Sequence, residues 1–166
     1  MRVKPSMLGA IAATVLAGAS AGAQDLPQPL LAPGLTPYLT LQAVGAQIYQ
    51  CKGGVNVRPV WTFREPTATL LRDGASVGQH FAGPSWRLSD GGLLQGKPVG
   101  KAPGATPADA PWLKLEATIH EGQGLLSEAV AIQRLHTTGG ALEGACEVEG
   151  ALRAIPYSAD YVFLKK

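Results

Sequence analysis

Residues 112–120 read WLKLEATIH, and this stretch decides the fold class. Leu113, Leu115, Ala117 and Ile119 alternate with Lys114, Glu116, Thr118 and His120. A period of two puts one set on each face of an extended strand, whereas a helix would repeat its apolar positions at three and four. Downstream, AVAIQRLHT reads as a second strand over 129–136, with Ser127 and Glu128 as an alternative short-helix start. Near the terminus, IPYSADYVFL places Tyr157, Ala159, Tyr161 and Phe163 on one parity, with Pro156 at the boundary.

Upstream, the same reading continues in short pieces. QGKPVGKAPGATPADAP makes 96–111 the longest expected loop, either a surface excursion or a mobile lid or binding loop. GQHFAGPSWRLSDGG gives two strand pieces divided by Gly83 and Pro84 and stopped by Asp90, Gly91 and Gly92. RDGASVG supplies a hairpin turn at Asp73 and Gly74. Before it lie a short strand at Val60, Trp61 and Phe63, bounded by Pro59 and Pro66, and a weaker one over 68–72. The first strand is expected over 38–50, with Gly45 marking a bulge or a close backbone approach. QDLPQPLLAPGLTP, residues 24–37, holds four prolines and reads as an extended or irregular lead-in. About eight short strands without intervening long helices give an all-β domain, a single antiparallel β-barrel or β-sandwich with long Gly/Pro-rich loops.

The first 23 residues stand apart. Arg2 and Lys4 precede an apolar run from Met7 to Leu16, and Ala21, Gly22 and Ala23 form a small-residue exit. This is the pattern of a secretory signal peptide cut after Ala23, with a retained anchor as the alternative. The expected location is periplasmic or secreted, with no stable membrane insertion after cleavage. Of 166 residues, 46% are hydrophobic and 16% charged, which suits a compact core and excludes a disordered acidic tail or a coiled coil. Arg2 and Lys4 account for the whole excess of 14 basic over 12 acidic residues, so residues 24–166 are formally neutral. A neutral domain without a basic stripe gives no reason to expect nucleic acid as a partner.

Cys51 and Cys146 lie 95 positions apart. In an oxidising compartment an intramolecular disulfide is the simplest use of such a pair. An intermolecular or unpaired arrangement is the alternative, and the absence of a CxxC spacing argues against redox chemistry.

The ordered segments GAQIYQC, WTFREPTATL, HFAGPSW, DGG, PWLKL, IQRLHTTGG and PYSADYVF span residues 45–163. Together they resemble an exported bacterial and fungal family of unknown function, domain-of-unknown-function family 3455. Some fungal relatives carry a malate dehydrogenase label. That chemistry fits poorly here: no strand leads through GxGxxG into a helix that would receive a pyrophosphate, and Gly91-Gly92 and Gly139-Gly140 are isolated pairs suited to turns.

Four residues stand out as candidates for chemistry. His80 could exchange a proton if Asp90 oriented its ring, with Trp86 as an aromatic wall. Arg134 could hold a carboxylate or a developing anion through its planar fork. Each has a structural alternative: His80 at a turn, Trp86 in the core, Asp90 in an Asx turn, and Arg134 paired with Asp160 or Glu116. The three tryptophans, Trp61, Trp86 and Trp112, either offer aromatic surfaces to a ligand such as a sugar or fill separate core layers. His80, His120 and His136 lack metal-ligand spacing, and Ser85 lacks a nucleophile elbow, so no metal or other cofactor is expected. The expected function is a small-ligand-binding or protein-interaction domain whose partner is a small molecule or an envelope or extracellular component. The alternative is a cofactor-independent isomerase or hydrolase using His80, Asp90 and Arg134.

Overall fold

The computed structural model describes residues 26–166 and builds eight strands: β1 (Thr36–Gly54), β2 (Val57–Arg72), β3 (Ala75–Phe81), β4 (Ser85–Leu88), β5 (Leu93–Ala102), β6 (Trp112–Glu121), β7 (Ala131–Gly139) and β8 (Leu152–Lys165). The signal segment expected over 1–23 lies outside the described residues. Every neighbouring pair is antiparallel, and β8 pairs with both β7 and β1, so the ladder closes on itself. Closure pairs both edges of every strand over at least part of its length.

One parity of each strand points into the closed sheet. Leu39, Leu41 and Ala43 from β1, Ala68 and Leu70 from β2, and Tyr157, Ala159, Tyr161 and Phe163 from β8 meet Trp86, Leu94, Leu115 and Ile132 in one core. The parity expected for β8 is the one observed. In β6 the alternation holds for Leu113, Leu115 and Ala117, but Ile119 is exposed. The reason is a bulge: Ala117 faces Gly96 and Ile119 faces Gln95, so one extra residue on β6 turns the following side chains over.

Four sequence expectations need correction. The strand at 60–63 and the strand at 68–72 are one element, β2, running straight through Pro59 and Pro66. Proline is tolerated there because β3 pairs with β2 only from Ala68 onward, which leaves the other edge near Pro66 without a ladder partner to donate to. The expected loop 96–111 is shorter, since β5 absorbs 96–102. Gly96 sits at a close contact: a Cβ there would press on the Trp86 ring and the Leu115 side chain. The lead-in is also more ordered than its prolines suggest. Gln28–Leu30 form a 3-10 turn, and Leu30 is fully buried on the outer face of the sheet with Ala102, Trp112 and Leu135. Gln133 Nε2 and Lys114 Nζ donate to the carbonyls of Leu30 and Leu31 (2.8 and 2.7 Å). The first strand, finally, extends beyond 38–50 in both directions. Gly45 marks a close approach within it, because a Cβ there would collide with the Thr67 carbonyl.

The Asp73-Gly74 hairpin forms as expected, with positive φ at both residues and Arg72 opposite Ala75. The expected intramolecular bridge is present between Cys51 and Cys146, with a Cα–Cα distance of 5.8 Å. It secures a strap, residues 141–150, that joins β7 to β8. The strap runs along the start of β2, where Trp61 N–H donates to the Gly144 carbonyl (3.0 Å) and Cys146 N–H to the Pro59 carbonyl (3.0 Å). Among the described residues no helix is long and apolar enough to cross a membrane.

Candidate functional site

The two ends of the closed sheet differ. At one end the 122–130 connection packs Leu126 and Ala129 into the core. At the other, β1 and β2 project past the short β3–β4 hairpin and leave a gap. A cavity of about 320 Å³ opens there, bounded by Phe63 and Pro66 of β2, His80 and Trp86 of the hairpin, and Leu115 and Arg134 on the inner wall. A second cavity of about 530 Å³ lies beneath the strap, between Tyr49, Trp61 and Leu142. Phe63, Pro98, Leu113 and Arg134 border both cavities, so the two chambers share a wall.

Alternation brings His80 and Trp86 together: they are register partners across the β3–β4 hairpin and both point inward. Their rings stack at 4.8 Å and 16°, and Tyr161 packs against both at 4.7 and 5.4 Å. His80 Nδ1–H donates to the Ser85 carbonyl (2.8 Å). A carbonyl only accepts, so Nδ1 carries the proton and Nε2 is a bare acceptor. Burial, with a smaller contribution from the Arg134 charge, pushes the imidazole down to about 3 despite the opposing bond to Ser85. His80 is therefore neutral at physiological pH. The Ser85 hydroxyl is buried without a partner, and the imidazole engages its carbonyl rather than its hydroxyl.

Arg134 is 7% exposed and donates from Nε and Nη2 to the Pro111 carbonyl (3.1 and 2.8 Å). Among the described residues no carboxylate lies within ion-pair distance of it: Asp160 pairs instead with His136 (2.9 Å), and Glu116 is exposed. The surrounding phenols offer no counter-charge. Burial raises Tyr49, Tyr157 and Tyr161 above the ordinary phenol range, and the nearby guanidinium only partly opposes it. Gln47 Nε2, on the strap side, is buried without a hydrogen-bond partner. The shared wall thus presents a buried cation in a setting of neutral groups, and the Gln47 amide belongs to the strap-side chamber alone.

Asp90 is not part of this site. It sits beyond the far end of β4, where Oδ1 accepts from Gly92 N–H (2.9 Å) and Oδ2 from Leu125 N–H (2.8 Å). It fastens the β4–β5 turn to the 122–125 loop and does not orient His80. The expected acid–base arrangement of His80, Asp90 and Arg134 is therefore corrected: His80, Trp86 and Arg134 converge, and Asp90 makes the Asx turn of its structural alternative. The expected pairing of Arg134 with Asp160 or Glu116 is likewise not made. His120 Nε2 bonds the Ala129 carbonyl (2.7 Å), far along the chain from the cavity-lining histidine. Among the described residues no group of three His, Cys, Asp or Glu side chains is arranged to hold a metal.

The model of the family described as protein of unknown function (DUF3455) matches residues 32–165. The chain belongs to the DUF3455 family. No curated protein and no solved structure matches it. The closed antiparallel sheet of this DUF3455 domain has none of the βαβ units on which nicotinamide dehydrogenases place their cofactor.

The tryptophans of the DUF3455 domain separate by role. Trp86 fills the inner core, Trp112 the outer one, and half-buried Trp61 lies under Arg153 (5.5 Å) beside the strap-side chamber. No exposed coplanar pair forms. Sequence reasoning missed Gln47, Tyr157 and Tyr161 as site residues, although the alternation of β1 and β8 places them on the inward parity.

The His80 environment predicts an acid-sensitive fold. The unfolded histidine titrates near 6.5 and the folded one at about 3, so below about pH 6.5 the unfolded state binds the extra proton. The stability due to neutral His80 is fully present above that pH and is lost as pH falls toward 3, at up to about 1.4 kcal/mol per pH unit. Urea midpoints of wild type and His80→Phe between pH 7 and 5 should diverge, with the variant losing about 1–2 kcal/mol less. Parallel curves would show that His80 is protonated in the folded state.

Proposed function

We propose that the domain is an exported, periplasmic or secreted, small-ligand-binding β-barrel whose ligand occupies the cavity between the His80–Trp86–Tyr161 wall and Arg134. The observation that carries this reading is the buried guanidinium at the head of an apolar cavity without a carboxylate partner. A charge removed from water costs several kcal/mol unless it is paired, and a core built only for stability would place an apolar side chain there. Cavities of about 300–1,000 Å³ with an apolar lining and a few fixed polar groups are the usual form of a small-molecule site. Catalysis is less well supported, since neutral His80 lacks an orienting carboxylate and Ser85 lacks a base.

Arg134→Met tests the reading by separating fold from function. The lost bonds to Pro111 cost about 1–3 kcal/mol, and relief of the buried charge outweighs that, so thermal unfolding should show a net gain of about 1–2 kcal/mol. The same substitution should abolish retention of a small molecule, read by native mass spectrometry of the exported protein before and after denaturation. A destabilised Arg134→Met that still retains the wild-type molecule would make the arginine a clamp for the 103–111 loop, and a wild-type protein that releases no small molecule on denaturation would defeat the binding reading.

A further inference from the structure

Resting on the reading of the cavity as a ligand site, we infer that the ligand is a monocarboxylate with an apolar body, its head group bound by Arg134 and its body lying against Trp86 and Leu115.

The head group follows from the donors. A guanidinium has five N–H groups, of which the Nε–H and one on Nη2 are taken by the Pro111 carbonyl. Arg134 also reaches the hydroxyl of Tyr161, which is neutral and supplies no anion. Tyr49 Oη donates to the Gly140 carbonyl (2.8 Å), and the hydroxyls of Tyr157 and Tyr161 are paired with each other (3.4 Å). Gln47 is 2% exposed, with the neutral Tyr157 hydroxyl beside its amide and no acceptor within hydrogen-bond distance of Nε2. The Trp86 indole N–H is likewise buried without an acceptor. Buried donors left without acceptors are rare in folded proteins and point to a missing oxygen.

Charge decides which oxygen-bearing group fits. Arg134 supplies one buried positive charge. At the rim, Lys101 and Glu143 are exposed and opposite in sign, and Arg64 is engaged with Glu65 (3.2 Å). One uncompensated charge matches a monoanion, whereas a phosphate dianion would carry a second charge into the same low-dielectric wall. A planar carboxylate also matches the guanidinium edge. The body follows from the cavity beside the β3–β4 hairpin, where Pro66, Trp86, Leu113 and Leu115 form an apolar wall suited to a hydrocarbon body.

The test uses the exported protein with its disulfide intact and four probes: phenylacetate and octanoate, and their neutral counterparts phenylacetamide and octanamide. Binding is read by calorimetry and by the side-chain NMR signals of Arg134, Gln47 and Trp86. Each carboxylate is expected to bind at least tenfold tighter than its amide and to shift the Arg134 signals, and Arg134→Gln should reduce the preference below twofold. Arg58→Gln, at an exposed position of β2, should leave it unchanged. Should Arg134→Gln fold poorly, the Arg134 signal of the wild type answers alone: a shift with the carboxylate and none with the amide supports the assignment. Amides binding as tightly as acids, or inorganic phosphate alone giving the same shifts and affinity as the carboxylates, would overturn the head-group assignment while the ligand site stands. Failure of all four probes to perturb any cavity residue would overturn the ligand site together with the inference.

Discussion

Trp86→Ala should lower folding stability by about 3–5 kcal/mol, the range for truncating a large buried aromatic side chain. Trp86 is fully buried and contacts more than one layer of the interior: it stacks on His80, meets Tyr161 edge-on at 5.4 Å and meets Phe163 edge-on at 6.0 Å. These residues come from β3 and β8, so the indole ties the short hairpin to the far side of the closed sheet. A Cβ at Gly96 would press on the same ring. The expected result is a large drop in the urea midpoint, with a folded fraction at 37 °C that depends on how much of the cavity collapses. Trp86→Phe, which keeps an aromatic wall, should recover more than half of the loss. A cost below about 1 kcal/mol for the alanine variant would mean that the interior repacks freely, which is inconsistent with the fixed aromatic cluster.

Cys51→Ser combined with Cys146→Ser should cost about 4–5 kcal/mol, because the bridge closes most of the described chain into one loop and removes that entropy from the unfolded state. The loss also has a local component. The strap holds the open edge of β2 through Trp61 and Cys146, and Cys51 N–H donates to the Ala151 carbonyl while Gly150 N–H donates to the Cys51 carbonyl (2.8 and 2.9 Å). Hydrogen exchange should therefore rise first at these amides, before the remainder of β7 and β8. Because Ala141, Leu142 and Glu143 roof the second chamber, the doubly substituted protein should also bind any ligand that spans both chambers more weakly. Unchanged exchange at Trp61 and Cys146, together with a stability loss under about 1 kcal/mol, would show that the strap is held by its backbone bonds alone.

Local pattern and global arrangement contributed differently to the site. WLKLEATIH and IPYSADYVFL announce their buried faces because one half of each repeat is apolar, and the Asp73-Gly74 turn announces itself because both residues tolerate positive φ. β2 and β5 are harder to read. Pro59, Pro66, Pro98 and Gly96 are local signals for loops, and they are overridden by partial pairing and by the Trp86 ring, which lie far away along the chain. His80, Trp86 and Arg134 were recognisable as residues of interest. Their convergence was not, and neither was the departure of Asp90 to the opposite end, since the direction of a four-residue strand between two turns decides it.

Legible from the sequence were the all-β class, the parity of β8 and of β6 as far as Ala117, the membership of His80, Trp86 and Arg134 in a list of candidates and the availability of two cysteines for one long bridge. Only the three-dimensional arrangement shows that β8 returns to β1, that the lead-in seals the outer face, that Arg134 stands on a wall shared by two chambers, and that no carboxylate among the described residues reaches the guanidinium. The reason is physical. Alternation and turn propensity act over a few residues and are written locally, whereas closure, burial of a charge and the absence of its partner depend on contacts between residues brought together from distant parts of the chain.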